Sequence, residues 1–208
     1  MNIVLIGIQG CGKGTLVAGL EKHINFSLIS VGQLLRDEVA TGSELGKEIK
    51  SVIDRGDLVS LDIVMSTVGK RLESDKNDIK IFDGFPRNFE QAEALDKITK
   101  VDLVINLTLS KEVAIQRLLN RLTCSKCGHI TRKDAVSSNV CPECGGELVS
   151  RSDDTLESIE KRFAIYEKET YPLLDKYKKQ GVRVETIESI EKDLTLNTVL
   201  KVLNEYNR

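Results

Sequence analysis

Residues 7–15 read Gly7-Ile8-Gln9-Gly10-Cys11-Gly12-Lys13-Gly14-Thr15 and follow a short apolar run. Two glycines with four residues between them, then a lysine, have the spacing of a phosphate-binding loop. Glycines let successive backbone N–H groups converge on phosphate oxygens. The N-terminus of the helix that follows adds a positive dipole end, and Lys13 is placed to reach the β- and γ-phosphates of a nucleotide. Gly14 stands where most such loops carry a magnesium-binding hydroxyl, so Thr15 is the next hydroxyl available. The alternative, an ordinary Gly-rich turn, is disfavoured by the intact strand–loop–lysine–helix context.

A second constellation lies far downstream. Cys124, Cys127, Cys141 and Cys144 form two C-x-x-C pairs with thirteen residues between them. In a reducing compartment this spacing favours a metal over disulfides or a redox switch. Four thiolates make a closed tetrahedral zinc site with no open position for water, so its role is structural. Gly128 and Gly145, each following the second cysteine of a pair, are expected to turn amides toward the sulfurs. His129 reads as a surface residue, and the fifth cysteine, Cys11, as a small loop filler.

Both constellations need a frame. Apolar periodicity predicts strands at 3–6, 26–29, 79–82, 103–107 and 182–187. Helical patterns cover 13–22, 32–41, 61–73, 89–98, 111–122, 156–179 and 194–204. Alternation of the two implies βαβ units and a mostly parallel sheet covered on both faces, with ligands bound beyond the carboxyl ends of the strands. Two stretches interrupt the rhythm. Residues 32–59 are helical without a strand, punctuated by Gly42, Gly46 and Gly56, and residues 124–150 have too few large apolar residues for a core. Both read as insertions on one α/β body.

Composition narrows the class. The 208 residues carry 30 Lys and Arg against 32 Asp and Glu, a formal charge of −2 that argues against a dedicated nucleic-acid binder. The cysteine segment offers only Lys126, Arg132 and Lys133 as basic groups and no aromatics. No apolar run approaches the roughly 20 residues of a membrane span. The opening run lacks the basic flank of a signal peptide. A cytoplasmic protein without nucleic-acid or membrane partners is expected.

Further segments carry a resemblance. Phe82-Asp83-Gly84-Phe85-Pro86-Arg87 ends a predicted strand, with Gln91 four residues on. Ser30-Val31-Gly32-Gln33-Leu34-Leu35-Arg36 follows the second strand, and Gly56-Asp57-Leu58-Val59 comes later. Arg117 and Arg121 stand four apart on one predicted helix face, Arg151 precedes Asp153-Asp154, and Arg162 lies beyond. In this order, and over nearly the whole chain, these segments closely resemble the adenylate kinases, in the long form whose lid carries zinc.

The resemblance implies a P-loop nucleoside monophosphate kinase fold: a five-stranded parallel sheet flanked by helices, an α-helical insertion for the monophosphate, and a zinc-ribbon lid. Residues 1–29, 60–119 and 155–208 would form the core, 30–59 the insertion and 120–154 the lid. The implied reaction moves the terminal phosphoryl of ATP to AMP, giving two ADP, in a monomer. Gly10, Cys11, Gly12, Lys13, Gly14 and Thr15 would wrap the ATP phosphates, with Arg117 and Arg121 meeting ATP at the lid hinge. Arg36 and Arg87 would grip the AMP phosphate. Gln91 would read the adenine of AMP beside Val31, Asp57, Leu58, Val59 and Gly84. Arg151 and Arg162 would clamp the transferring group, on which Lys13, Arg87 and Arg121 also act, and Asp83 would hold Mg2+ through water.

Three residues depart from the family pattern. Gln9 replaces a proline and frees a φ angle. Val31 replaces a threonine on the AMP side. Gln33 replaces an aspartate expected near the magnesium waters. Two rival readings are another ATP-dependent nucleoside monophosphate kinase and a P-loop GTPase switch with a zinc ribbon. For the second, the nearest guanine-motif match, Asp75-Lys76-Asn77-Asp78, has the wrong first residue and precedes a strand.

Overall fold

The structure is a computed structural model describing residues 1–73 and 75–206. Ser74 and residues 207–208, within the expected core segments 60–119 and 155–208, lie outside the described residues. In chain order the first half runs β1 (Asn2–Gly7), α1 (Lys13–Leu20), β2 (Ser27–Ser30), α2 (Val31–Ala40), α3 (Glu44–Asp54), α4 (Leu61–Glu73), β3 (Lys80–Asp83), α5 (Phe89–Ile98) and β4 (Leu103–Thr108). The second half runs α6 (Lys111–Leu119), β5 (Arg121–Cys124), β6 (Ile130–Arg132), β7 (Leu148–Val149), α7 (Leu156–Ile165), α8 (Leu173–Lys179), β8 (Arg183–Glu188) and α9 (Lys192–Tyr206).

The main sheet has the order β2-β3-β1-β4-β8, with every pairing parallel. Its strands alternate between two cores, as a sheet buried on both faces requires. Ile3, Leu5, Ile105 and Leu107 point to one side, against Leu16 and Leu20 of α1, Ile159 and Phe163 of α7, and Val199 and Leu203 of α9. Val4, Ile6, Phe82 and Val104 point to the other, against Val64 and Val68 of α4, Leu95 of α5, and Leu173 and Tyr177 of α8. Register places Val4 opposite Phe82 and Leu5 opposite Ile105, so each layer is continuous across the sheet.

Side-chain caps set where several helices start. The hydroxyls of Ser43, Ser110 and Thr155 and the amide oxygen of Asn88 accept from backbone N–H groups three residues on. Ser30 also sits at an N-cap position, but its hydroxyl donates to Asp83 Oδ2 at 3.3 Å. That exchange ties the end of β2 to the end of β3.

The structure departs from the periodicity in three places. The helix expected over 111–122 stops at Leu119. Lys133, returning from the lid, takes its last carbonyls: Nζ donates to Leu119 O at 3.0 Å and N to Asn120 O at 2.8 Å. Arg121 therefore opens a strand, opposite Arg132, and does not share a helix face with Arg117. The single helix expected over 156–179 is broken. A π-helical turn spans Tyr166–Thr170, closed by Tyr171 N donating to Tyr166 O, and Pro172 cannot donate to continue the ladder. Gly46 does not punctuate; it lies inside α3, where a Cβ would stand 2.5 Å from Glu38 O, so it lets α3 pack closely on α2.

The lid is a small antiparallel sheet of order β6-β5-β7. Its interior is Leu122, Cys124, Cys141 and Leu148, half of it sulfur.

Candidate active site

The site is assembled at the carboxyl edge of the parallel sheet. The loop after β1 turns through Gly10 and Gly12, with φ of 83° and 97°, values that only glycine adopts freely. Gly12 caps α1 with no side chain over the first turn, so the helix's opening N–H groups are free to meet an anion. Lys13 Nζ folds back on the loop, donating to Gly7 O at 2.7 Å and Ile8 O at 3.3 Å, with Cys11 Sγ at 3.7 Å. Cys11 is fully buried, in keeping with a loop filler. Thr15 is exposed. The side chain of Ile130, on lid strand β6, comes within 3.1 Å of the position a Cβ would take on Gly14. A hydroxyl-bearing residue after Lys13 would meet that lid residue.

Arg117 lies beside the same loop. Its Nη1 and Nη2 donate to Ser189 O and Ile190 O at 3.2 and 3.0 Å, and Ser189 Oγ is 3.1 Å from the Cβ position of Gly12. The turn after β8 thus joins the phosphate loop. Nothing in its local sequence marks it, because its partner is 72 residues away.

Arg36, Arg87, Arg121, Arg151 and Arg162 form an electrostatically linked cluster, each coming from a different segment. Burial holds Arg36 below its ordinary pKa; Arg121 and Arg87 push the same way, and Asp153 opposes them. Burial also lowers Arg87, where Asp83 raises and Arg162 lowers. Arg151 is lowered by burial first and then by Arg121 and Arg36. Five cations share three acids, Asp83, Asp153 and Asp154, and the surplus is an attraction for anions.

The two lid-base acids orient two members of the cluster, Arg121 and Arg162. Asp154 takes Arg121 in a two-point grip, Nε at 2.8 Å and Nη2 at 2.6 Å. Asp153 accepts from Arg162 Nη1 at 2.6 Å. Arg151 Nε donates to Thr123 Oγ1 at 3.0 Å. Arg87 is pinned along its backbone and side chain: Nε donates to Gly84 O at 2.8 Å, N to Gln91 Oε1 at 2.8 Å, and Thr170 Oγ1 to Arg87 O at 2.6 Å. Thr170, brought there by the π-helical turn, went unmarked in the sequence.

The insertion closes the other side. Val31, the first residue of α2, is buried in the core, and Val59 is buried at the insertion's far end. Asp57 turns its carboxylate outward to Lys161 at 2.6 Å and Arg55 at 3.3 Å. A Cβ on Gly56 would lie 2.9 Å from Ser158 Oγ, and Ser152 Oγ donates to Asp54 Oδ1 at 2.7 Å. Lid base, insertion and α7 are therefore in mutual contact. Gln33, which replaces the aspartate of the family pattern, bonds Arg36 and Asp37.

The four lid cysteines place their sulfurs within 4.8 Å of one another. Cys124 and Cys144 are 3.5 Å apart, Cys127 and Cys141 3.7 Å. A tetrahedron with metal–sulfur bonds of ~2.3 Å has edges of about 3.8 Å, so the cluster fits zinc. Gly146 leaves the needed space, since a Cβ there would stand 2.9 Å from Cys124 Sγ. The amides of Lys126 and Cys127 point at Cys124 Sγ at 3.4 and 3.5 Å, and Cys127's amide is the main cause pulling that thiol down to about 6. Gly128 N and Gly145 N donate to Cys124 O and Cys141 O, closing the two turns, and the first of these turns presents the Lys126 and Cys127 amides to the sulfur as expected.

A phosphate loop and an arginine cluster beyond the carboxyl ends of a five-stranded parallel sheet define a P-loop kinase acting on nucleoside monophosphates. The family profile for adenylate kinase matches residues 5–182. An adenylate kinase of Archaeoglobus fulgidus is 39% identical over 191 residues, 88% of each chain. One from Treponema denticola is 42% identical over 190 residues, covering 88% of this chain and 90% of its own. One from Thermodesulfovibrio yellowstonii is 40% identical over 216 aligned positions, 99% of this chain and all of its own. The chain belongs to the adenylate kinase family.

Proposed function

We propose that the protein transfers the terminal phosphoryl of ATP to AMP, reversibly giving two ADP. An oxygen of the AMP phosphate forms a bond to the γ-phosphorus as the β–γ bridging bond breaks, and the electron pair leaves with ADP. Catalysis of this kind is positioning plus charge neutralisation, with no covalent enzyme intermediate needed. The observation that carries the reading is the cluster of five arginines with too few acids to neutralise them, beyond the same edge of the sheet as the phosphate loop.

In this reading Gly10 to Thr15 wrap the ATP phosphates, Lys13 exchanges its loop carbonyls for phosphate oxygens, and Arg117 and Arg121 hold ATP at the lid hinge. Arg36 and Arg87 take the AMP phosphate. Gln91, whose amide oxygen is fixed by Arg87 N, turns its amide N–H groups to the base, beside Val31, Gly84 and the 57–59 backbone. Arg151 and Arg162 reach the transferring group. Asp83 supplies the hard oxygen that suits Mg2+, reached through water. When bound, Mg2+ neutralises charge on the β- and γ-oxygens. Zn2+ on the four lid thiolates staples a segment that cannot build its own core. The division into core (1–29, 60–119, 155–208), insertion (30–59) and lid (120–154) follows these roles. The protein is read as a monomer, and among the described residues no helix is long and apolar enough to cross a membrane. Free adenine nucleotides are the partners, and the cytoplasm is the compartment that supplies them.

A coupled assay with ATP against AMP, CMP, UMP and GMP tests the reading. AMP should give the highest kcat/KM. A pyrimidine monophosphate outcompeting AMP would move the chain to another branch of monophosphate kinases.

A further inference from the structure

The arginines of the cluster differ in what holds them. Arg121 and Arg162 are gripped by carboxylates. Arg36 is not. Its Nη2 donates to the amide oxygen of Gln33 at 3.1 Å, and its Nε is buried without a hydrogen-bond partner among the described residues. Gln33 is oriented in turn by Asp37, whose Oδ1 accepts from Gln33 Nε2 at 2.8 Å. The three residues sit at i, i+3 and i+4 on α2, so they share one helix face. Asp37 fixes which end of the amide is donor, and that leaves the carbonyl end for Arg36.

We propose that Gln33 is a positioning residue for Arg36: a neutral acceptor that aims the guanidinium while leaving its charge and its free Nε for the acceptor nucleotide's phosphate. The proposal rests on the reading of Arg36 as a ligand of that phosphate. A carboxylate at the same place would take Arg36 as an ion pair, and would lose the donor that Gln33 gives Asp37. The guanidinium is ionised in both cases, so both contacts are charge-assisted, but only a carboxylate adds a full opposite charge, and an arriving phosphate would have to compete with it. The neutral amide avoids that competition. The choice matters most where charge is poorly solvated, and Arg36 is such a case, since burial is the main influence lowering its pKa.

The test is a two-by-two set: parent, Gln33→Glu, Arg36→Ala and the double variant, with KM for AMP and for ATP measured separately. Glu matches Gln in length and helix propensity, so α2 is retained. Gln33→Glu should raise KM for AMP about five- to tenfold, because the phosphate would have to displace an ion pair in place of a single hydrogen bond to an uncharged amide, with KM for ATP and kcat within about twofold. Gln33→Met, which keeps the length and removes the acceptor, should raise KM for AMP by a smaller factor, about two- to fivefold. In the Arg36→Ala background, Gln33→Glu should add nothing. If Arg36→Ala raises KM for AMP while Gln33→Glu leaves it within twofold, the role of Gln33 is wrong and the phosphate site stands. If Arg36→Ala leaves KM for AMP unchanged, the phosphate site itself is misread and the proposal goes with it. A change from Gln33→Glu confined to the magnesium dependence also overturns it, placing Gln33 on the metal side.

Discussion

Lys13 and Arg87 both turn a donor inward onto a backbone carbonyl, Gly7 O in one case and Gly84 O in the other. These are neutral acceptors that a phosphate oxygen outcompetes, so both cations are held ready and not neutralised. A cationic contact in phosphoryl transfer is worth ~10³–10⁵ in rate. Lys13→Ala and Arg87→Ala should each cost about a thousandfold in turnover, with circular dichroism unchanged. Retention of more than about a tenth of parental turnover, against losses of that size, would contradict the assigned role. Residues such as these were legible because each sits in a short motif whose spacing is local. Asp153 and Asp154 were visible as neighbours of Arg151, but their grip on Arg162 and Arg121 depends on how the lid base folds. Thr170 and Ser189 were not legible at all, since their partners lie 83 and 72 residues away. Thr170, whose hydroxyl reaches Arg87, is the last residue of the π-helical turn.

Among elements, the lid is the one whose stability is borrowed. Leu122 and Leu148 are its buried aliphatic residues, packed against Cys124 and Cys141, while the body has two extensive cores. Binding energy at a structural zinc site acts as folding energy. Removing the metal should therefore melt the lid first. Cys141→Ser should lower zinc content and melting temperature together, while part of the activity survives at low temperature. Complete loss of low-temperature activity with hydrogen-exchange protection of β5–β7 intact would mean that the metal takes part in catalysis. Sequence periodicity located all five strands of the main sheet and most helices to within a residue or two, because alternating burial on a two-sided sheet leaves a clear pattern. It failed at 120–124 and 166–172. There, Lys133 returning from the lid and Pro172 end helices whose apolar spacing would otherwise continue. The lid strands are short, and their pairing follows from the cysteine cluster more than from any alternation of side chains.

At the scale of the whole molecule, the parallel sheet brings the loop after β1, the start of α2, the loop after β3 and the turn after β8 to one edge. The lid adds Arg121 and Arg151, and α7 adds Arg162. Ile130 over Gly14 and Ser152 on Asp54 draw lid, phosphate loop and insertion together, an arrangement that excludes water from a reaction in which water is the competing acceptor. These parts together serve to hold two adenine nucleotides at once and to pass a phosphoryl group between them without losing it to water. The most direct measurement supplies ADP and Mg2+ alone and follows the phosphorus resonances over time. Because the reaction is reversible and needs no other phosphate source, ADP should convert to ATP and AMP in equal amounts, with inorganic phosphate flat and with no conversion in Lys13→Ala. ADP that persists unchanged, or that disappears into AMP and inorganic phosphate without ATP, would contradict phosphoryl transfer between two bound adenine nucleotides.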